Sequence, residues 1–233
     1  NDQWPNGSWT ENFGHSKGAL VWDESSGLGF WVQHSVPDFP NYVDDGYEYG
    51  EGQERYGQHL SCWSLEAGDV DSLAYAMRFS GPWIYDSSVN STAGNVSALL
   101  DGDTFYSKNE TVHVKLAKGY DVYGKTGGYG GDLVDGVVAP AVGDVVSQSW
   151  LNGGNPLGSF CSDGVDVVDT VTLKFGTDTD AWTTQNDHSK WVVTTGRSSD
   201  VFCGCDNNRA ESQFVRGGLA VCVANAALRS AVY

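Results

Sequence analysis

Residues 187–191 read DHSKW and residues 14–18 read GHSKG, so the chain carries His-Ser-Lys twice, each time beside a hydrophobic run. Residues 113–115 (HVK) match the shorter pattern His-x-Lys a third time. With only seven lysines in 233 residues, chance is a poor explanation for a lysine two positions after three of the five histidines. In a strand, residues two apart point to the same face, so each pattern would place an imidazole beside an ammonium group. Such a pair can hold one phosphate group.

The pattern suits the cleavage of a phosphodiester. That reaction needs a nucleophile, a proton for the leaving oxygen and positive charge near the non-bridging oxygens. His15, Lys17, His188 and Lys190 could supply all three without a metal ion. The alternative for both histidines is a partly buried structural role beside a solvated lysine. For His113 this structural interpretation is preferred, because the alternating segment TVHVKLAK could form a strand that faces solvent.

Composition indicates a single globular domain that is rich in strands. Hydrophobic residues make up 40% of the chain and charged residues 18%, and nine Trp, eleven Tyr and thirty Gly accompany many Val and Thr. Residues 19–24 and 29–36 predict a hairpin, and residues 70–79 predict a short helix. The stretch 85–111 predicts mostly loop. No apolar run approaches the ~18 residues of a membrane-spanning helix, so no membrane association is predicted.

The charge argues at first against nucleic acid as a ligand. The formal net charge is −17 with a pI near 4.3, whereas phosphate affinity comes largely from Lys and Arg. In an acidic compartment, part of the carboxylates would be neutral and the histidines could be charged, so the repulsion would fall. The acidic, tyrosine-rich loop 41–57 is predicted to be solvated rather than to face DNA, and most aromatic rings are assigned to the core.

Cysteines and glycosylation sequons favour the secretory route. The chain has five cysteines and four N-x-[ST] sequons, at Asn6, Asn90, Asn95 and Asn109. An odd number of cysteines leaves one thiol that needs a partner outside this chain. No signal peptide is visible, as in a processed or mature fragment. We therefore predict a glycoprotein that is lysosomal or secreted.

Five segments together carry a resemblance to a known family. In order, they are GHSKGALVWD, FWVQHSVPDFP, YGQHLSCWSL, DHSKW and the RGG that precedes a cysteine. The set resembles deoxyribonuclease II, an acid endonuclease family that looks like a branch of the phospholipase D superfamily. The resemblance runs along the whole chain and is weak between about residues 80 and 158. It implies a mixed α/β (α+β) fold, one domain over residues 1–233, with two pseudo-symmetric sheet-centred halves meeting at one active site.

The resemblance also implies a mechanism. Such an enzyme hydrolyses DNA without a metal or other cofactor, through a phosphohistidine, and leaves 3′-phosphate ends. His15 is assigned as the nucleophile and His188 as the acid, while Lys17 and Lys190 neutralise the phosphate oxygens. His34 lies 19 positions after His15, and Asn207 and Asn208 lie 19 and 20 after His188. His34 and Asn208 are therefore predicted to support the phosphate site, with surface turn polarity as the alternative; Asp23 and Asp206 are weaker candidates.

Departures from the family concern its N-terminal stretch and its disulfides. Relatives carry a substantial segment before the part that corresponds to residue 1, so we predict that this segment is absent here or lies on a separate chain held through Cys62. Cys203 and Cys222 match a family pair. Where the family has a cysteine after the tryptophan of DHSKW, this chain has Val192. The partners of Cys161 and Cys205 stay open, with a bond between them as one possibility.

Two other functions compete with the nuclease. One is an inactive secreted glycoprotein that keeps the fold for binding, which the intact His-x-Lys pairs disfavour. The other is a phospholipase D-like lipid phosphodiesterase, which would need an exposed apolar entrance that the sequence does not reveal. The motifs do not separate DNA from RNA as the substrate and indicate no oligomeric state.

Overall fold

A computed structural model describes residues 10, 12–89, 93–162, 164–174, 181–196 and 199–232. The first sheet has three antiparallel strands in sequence order: β1 (Gly18–Asp23), β2 (Leu28–His34) and β3 (Leu60–Glu66). The β1–β2 hairpin confirms the one predicted from the sequence. Its link contains Gly27 at φ 69°, a left-handed conformation that glycine adopts without strain. This sheet directly follows the first His-Ser-Lys.

The second sheet has eight strands and contains the second half of the site. Its order is β4-β5-β13-β12-β11-β6-β8-β7, and all pairs are antiparallel except β6 with β8. The strands are β4 (Thr111–Lys115), β5 (Asp121–Lys125), β6 (Val145–Gln148), β7 (Phe160–Cys161), β8 (Asp166–Asp169), β11 (Trp191–Thr194), β12 (Val201–Cys205) and β13 (Gly218–Ala224). The strands β9 (Thr172–Lys174) and β10 (Ala181–Thr183) form a separate two-stranded sheet.

The longest helix packs between the two larger sheets. The helix α1 (Ala67–Ser80) contacts β1, β2 and β3 on one side and β4, β5 and β13 on the other. It begins with a capping box between Glu66 and Asp69 and ends at Gly81 in the left-handed conformation. Leu73, Ala74 and Met77 on its buried face join tryptophans of both sheets in one core. This core fixes how the two halves meet.

The remaining helices are short. They are α2 (Gly94–Leu100), α3 (Ala139–Val142), which continues a π-helical turn (Val134–Val138), and α4 (Ala226–Val232). A second core cluster lies under the π-helical turn and includes Val145, Val192 and Cys203. The prediction of loop over residues 85–111 is wrong where α2 forms. Sequence patterns did not identify β5, which lies in a glycine-rich stretch.

The α/β class is confirmed, while the two sheet-centred parts are unequal in the described chain. The first His-Ser-Lys is followed by three strands and the second belongs to eight. What the two parts share is local: each motif leads into a strand that pairs with the next one along the chain, β1 with β2 and β11 with β12. The two parts therefore correspond to each other in these hairpins, β1–β2 and β11–β12.

Cysteine positions confirm one prediction and correct another. Cys203 and Cys222 face each other on β12 and β13 and form a disulfide. Cys161 and Cys205 are not bonded: Cys161 is exposed on β7, while Cys205 is buried on β12. Cys62 is exposed on β3 with a free thiol, as its assignment to an outside partner requires.

The sequons differ in their surroundings. Asn109 is exposed. Asn95 is half-buried, and its side-chain amide donates to Asp71 and accepts from Arg78. Asn6 and Asn90 lie outside the described residues. Glycosylation at all four stays a prediction.

Candidate active site

The two His-Ser-Lys motifs lie in extended segments directly before β1 and β11, not inside strands as predicted. Their lysines are almost completely buried, Lys17 at 3% exposure and Lys190 at 4%. The alternative of a structural histidine beside a solvated lysine therefore does not describe either motif. Burying an ammonium group is costly, so two buried lysines indicate a site built for negative charge.

His15 is held by backbone groups from the far end of the chain. Its Nδ1 lies 2.8 Å from the main-chain oxygen of Asp206, and its backbone N–H donates to the oxygen of Gly217 at 2.9 Å. A carbonyl oxygen only accepts, so Nδ1 carries a proton. In the neutral ring, the lone pair is then on Nε2. The Arg216 guanidinium donates to the carbonyls of Phe13 and Gly14 and fixes the approach to the motif.

Asp206 links the first motif to the second hairpin through its buried side chain. Its carboxylate accepts from Ser16 Oγ at 2.7 Å, from Gln33 Nε2 at 2.8 Å and from the Leu219 N–H at 2.8 Å. Burial raises the pKa of Asp206, while hydrogen bonds from Gln33 and Ser16 oppose this shift. Asp206 thus fixes the position of its own carbonyl and, through that carbonyl, the ring of His15.

His188 lies between aromatic rings. The Tyr56 ring stacks on it with a centroid distance of 4.3 Å and an interplanar angle of 17°, and Trp150 contacts it at 4.3 Å with a tilt of 58°. Gln58 Nε2 lies 3.4 Å from Nδ1 of His188. Burial, followed by the charges of Lys190, Lys17 and Arg55, lowers the pKa of His188 to about 3. The free site therefore keeps this imidazole neutral.

The second motif is also fixed by its neighbours in the chain and by His59, directly before β3. Asp187 accepts from the N–H and the hydroxyl of Ser189, at 2.9 and 2.7 Å. The Lys190 N–H donates to Nδ1 of His59 at 3.1 Å, and the Lys190 ammonium donates to the oxygen of His188 at 2.6 Å. Burial lowers the pKa of His59 to about 3, so His59 is a neutral acceptor.

The charges of the two motifs act on the same histidines. Lys17, from the first motif, lowers the pKa of His188 in the second. Both Lys17 and Lys190 lower the pKa of His34, which burial brings to about 3. These two ammonium groups lie near His34 and His188, whose pKa values are low, and the arrangement can stabilise a phosphate oxygen. Among the described residues, no cluster of His, Cys, Asp and Glu could hold a metal ion.

The predicted supporting residues are both buried near this site. His34 is 4% exposed, and neither of its ring nitrogens has a hydrogen-bond partner among the described residues. Asn208 lies in the turn after Asp206, and its buried Oδ1 has no hydrogen-bond partner in the part of the chain that the structure describes. The similar chain offsets that suggested the pair do not reflect a structural equivalence. His34 N–H donates to Lys17 O, and Cys205 N–H donates to Lys190 O, so the counterpart of His34 is Cys205.

The third His-x-Lys match is a surface feature, as preferred from the sequence. His113 Nε2 lies 2.7 Å from Asp121, and its ring stacks on Tyr123 in the edge pair β4–β5.

The prediction for the acidic loop 41–57 is wrong at its C-terminal end, because Tyr56 stacks on His188. Phe39, just before this loop, contacts both His34 and Tyr47. The described residues include no helix long and apolar enough to span a membrane.

Comparison with known proteins assigns the chain to a family. The family model described as Deoxyribonuclease II matches residues 1–233. The chain belongs to the deoxyribonuclease II family. It is 31% identical to Plancitoxin-1 of Acanthaster planci, over 100% of this chain and 67% of that protein. It is 31% identical to Deoxyribonuclease-2 of Caenorhabditis elegans, over 93% and 58%, and 29% identical to bovine Deoxyribonuclease-2-alpha, over 95% and 64%. The chain thus spans about three fifths to two thirds of these relatives' lengths.

For this member of the deoxyribonuclease II family, sequence reasoning missed several residues of the site. Asp206 was a weak candidate only, and Gln33, Tyr56, Gln58, His59 and Trp150 were not singled out. Tyr56, Gln58 and His59 lie in the segment YGQH that carried the family resemblance, which is a signal that could have found them. Gln33 has a local signal too: a glutamine beside His34 in an otherwise apolar strand is a polar group that needs a buried partner.

Proposed function

We propose that this chain is the site-bearing part of a metal-independent acid endonuclease that hydrolyses DNA to 3′-phosphate ends. The observation that carries this proposal is that the two imidazoles have opposite proton arrangements. His15 carries a proton on Nδ1, toward Asp206, which leaves the Nε2 lone pair available. His188 faces a side-chain amide N–H with Nδ1, so its neutral ring carries the proton on Nε2. The lone pair on Nε2 suits His15 to act as a nucleophile, and His188 can donate its Nε2 proton once its ring is charged.

In the first step, His15 Nε2 attacks phosphorus and forms a P–N bond while the P–O5′ bond breaks. His188, charged once the phosphodiester is bound, transfers its Nε2 proton to the departing 5′ oxygen and becomes neutral. Lys17 and Lys190 neutralise the non-bridging oxygens, because their ammonium groups are buried within the site. His34 and Asn208 are assigned as further polar groups of the phosphate site, since the ring nitrogens of His34 and Oδ1 of Asn208 are buried without a hydrogen-bond partner in the described part of the chain.

In the second step, the lone pair left on His188 Nε2 takes a proton from water. The water oxygen forms a bond to phosphorus, the P–N bond to His15 breaks, and a 3′-phosphate is released. The net reaction consumes one water per bond cleaved, and His188 ends with the proton that it gave up. Asp206 keeps His15 oriented throughout, through the main-chain carbonyl that accepts from Nδ1.

Acid pH supports this cycle through the substrate. In the free site, burial and three cations hold the pKa of His188 at about 3, so the ring is neutral at pH ~5. A bound phosphodiester offsets the charges of Lys17 and Lys190, and the pKa of His188 then rises. Low pH favours this protonation, and it reduces the repulsion between DNA and a chain of formal charge −17.

The cellular setting that we propose is the lysosome or the outside of the cell. The Cys203–Cys222 disulfide supports an oxidising route. For Cys62 we propose a disulfide to a separate chain that corresponds to the N-terminal part of the relatives. The exposed thiol on the edge strand β3 and an adjacent cavity of about 500 Å³, lined by residues of β3, β11 and α4, support such a partner.

The test is cleavage of supercoiled plasmid by natively purified protein at pH ~5 with EDTA, beside the same assay near pH 7. We expect metal-free nicking confined to acid pH and 3′-phosphate ends by end-group analysis. His15→Ala and His188→Ala should each lose at least ~100-fold in rate with unchanged thermal unfolding. His113→Ala is the matched control, because it removes the third His-x-Lys histidine at an exposed position and should keep full activity.

The alternatives give different results. If the wild-type protein, purified with any chain attached through Cys62, cleaves nothing but binds DNA, the fold is retained for binding. If it hydrolyses phospholipid in vesicles and leaves plasmid intact, it is a lipid phosphodiesterase. Retained activity in either active-site variant would remove that histidine from the mechanism.

A further inference from the structure

Three consecutive residues of the segment YGQH surround His188. Tyr56 stacks on the face of the imidazole. The Gly57 oxygen accepts from the His188 N–H at 2.7 Å, and Gln58 lies at the ring nitrogen Nδ1. Gly57 is packed so closely that a Cβ there would lie 2.7 Å from Oδ1 of Asp187. The proposed reaction uses this segment only through the Gln58 amide at Nδ1 and gives that amide no part in the change of charge, although all three residues touch His188.

The orientation of the Gln58 amide follows from its other neighbour, Ser35. The Ser35 hydroxyl oxygen accepts from the His59 N–H at 2.9 Å. Its own proton is then available to Oε1 of Gln58, which lies 2.5 Å away. Oε1 is therefore the amide atom that faces Ser35, and Nε2 is the one that faces His188. An N–H pointed at Nδ1 favours a lone pair on that nitrogen.

This arrangement must change when His188 becomes charged, because both ring nitrogens of an imidazolium carry protons. A protonated Nδ1 needs an acceptor, and the only acceptor on the Gln58 side chain is Oε1. A turn of the amide by 180° supplies it, and Nε2 then donates to the Ser35 oxygen. Two hydrogen-bond arrangements of the same three side chains thus correspond to the two charge states of His188.

We propose that Gln58 is the positioning residue of His188, and that its amide, with Ser35, sets which ring nitrogen carries the proton. This inference rests on the proposed function only for the effect on cleavage. Other charged or titratable groups that face His188 are Lys190 in its own motif, Lys17 from the first motif, and Arg55 and Tyr56 from the adjoining loop. Asp187, on the same segment, uses both carboxylate oxygens for Ser189.

Substitutions at position 58 separate positioning from mere packing. Gln58→Glu places a carboxylate that accepts from Ser35 and from a protonated Nδ1 at once, so no turn is needed. We expect the alkaline limb of the pH–rate profile to move up by about one pH unit, as an opposite charge at this distance raises the pKa of a histidine. Gln58→Met keeps the size and removes both polar atoms. We expect kcat to fall about 10- to 100-fold at unchanged KM, less than the loss of the acid itself.

Gln53→Glu is the matched control for added charge. Gln53 lies in the same loop, and its Oε1 is 3.5 Å from Gln58 Nε2. Gln58 thus separates Gln53 from the His188 ring. If the charge alone matters, Gln53→Glu and Gln58→Glu will move the profile equally, and the proposal is then refuted. Thermal unfolding of all variants shows whether a loss of rate reflects folding.

Nuclear magnetic resonance of ¹⁵N-histidine tests the inference without any activity. In the wild-type protein, neutral His188 should carry its proton on Nε2, and in Gln58→Glu the proton should shift to Nδ1 with a higher pKa. The same tautomer and pKa in both proteins would overturn the proposal, whatever the enzyme does. A wild-type protein that cleaves nothing, yet shows the expected tautomer change, would count against the proposed function and leave the role of Gln58 standing.

Discussion

The buried carboxylate of Asp206 is a side chain whose contribution to the free energy of unfolding can be measured by substitution. It accepts three hydrogen bonds, from Ser16, Gln33 and the Leu219 N–H, and so ties the first motif to β2 and β13. Asp206→Ala leaves these donors without a partner. The Ser16 hydroxyl can rotate, but the Gln33 amide and the Leu219 N–H stay buried. At about 1 to 3 kcal/mol for each unsatisfied donor, the free energy of unfolding should fall by about 4 kcal/mol.

Asp206→Asn should cost far less, for a reason visible in its surroundings. The asparagine oxygen can keep Ser16 and Leu219, and its amide nitrogen then faces Gln33. Gln33 Oε1 is buried and has no hydrogen-bond partner among the described residues, so a turn of the Gln33 amide supplies the acceptor. The number of hydrogen bonds is preserved, and relief of the buried charge offsets the weaker bonds. We expect a loss within about 1 kcal/mol.

Urea unfolding followed by tryptophan fluorescence measures the free energy of unfolding of both variants. Plasmid cleavage at pH ~5 measures the activity of the same variants. Because His15 bonds to the main-chain oxygen of Asp206, Asp206→Asn should keep most of its activity, while Asp206→Ala should lose it. Equal destabilisation in the two variants would refute this reasoning, since it would mean that the charge of Asp206, rather than its hydrogen-bond geometry, holds the hairpins together.

Two further predictions concern stability. Burial, followed by the charge of Asp132, raises the pKa of Asp135 to about 6, so its stabilising contribution is complete below pH 3.8 and is lost as the pH rises through about 6. Thermal unfolding from pH 4 to 7 should show this loss, about 1 kcal/mol after solvent screening, and Asp135→Asn should not show it. The Cys203–Cys222 disulfide joins adjacent strands with a sequence separation of 19. Replacing both cysteines with alanine should lower the free energy of unfolding by about 3 kcal/mol in urea, and an unchanged midpoint would contradict this.

Local patterns predicted the parts of the fold that depend on local contacts. The hairpin β1–β2 and the helix α1 follow from apolar periodicity and turn residues, and their observed bounds lie close to the predicted ones. The order of the eight strands was not predictable, because β13 lies between β5 and β12 although about ninety residues separate β5 from β13. In β5 itself, glycines on both sides concealed a strand whose Val122 is fully buried.

The site shows the same division. The repeated motif predicted His15, Lys17, His188 and Lys190 as candidate site residues, because the histidine and the lysine of each motif lie two positions apart in the sequence. The contact between Gln33 and Asp206 spans 173 residues, and no local pattern reports it. For Tyr56, the composition of the surrounding loop was misleading: the acidic residues indicated solvent, whereas the ring turns inward onto His188.

The attachment of the first motif to the end of the chain has a consequence for biosynthesis. The His15 N–H bonds to Gly217, and the Arg216 side chain bonds to Phe13 across a separation of 203 residues. A ribosome therefore makes His15 some two hundred residues before the groups that hold it. A growing polypeptide that stops before Arg216 has His15 without the contacts that orient it. The first motif can therefore reach its final geometry only after residues 216 and 217 have been made.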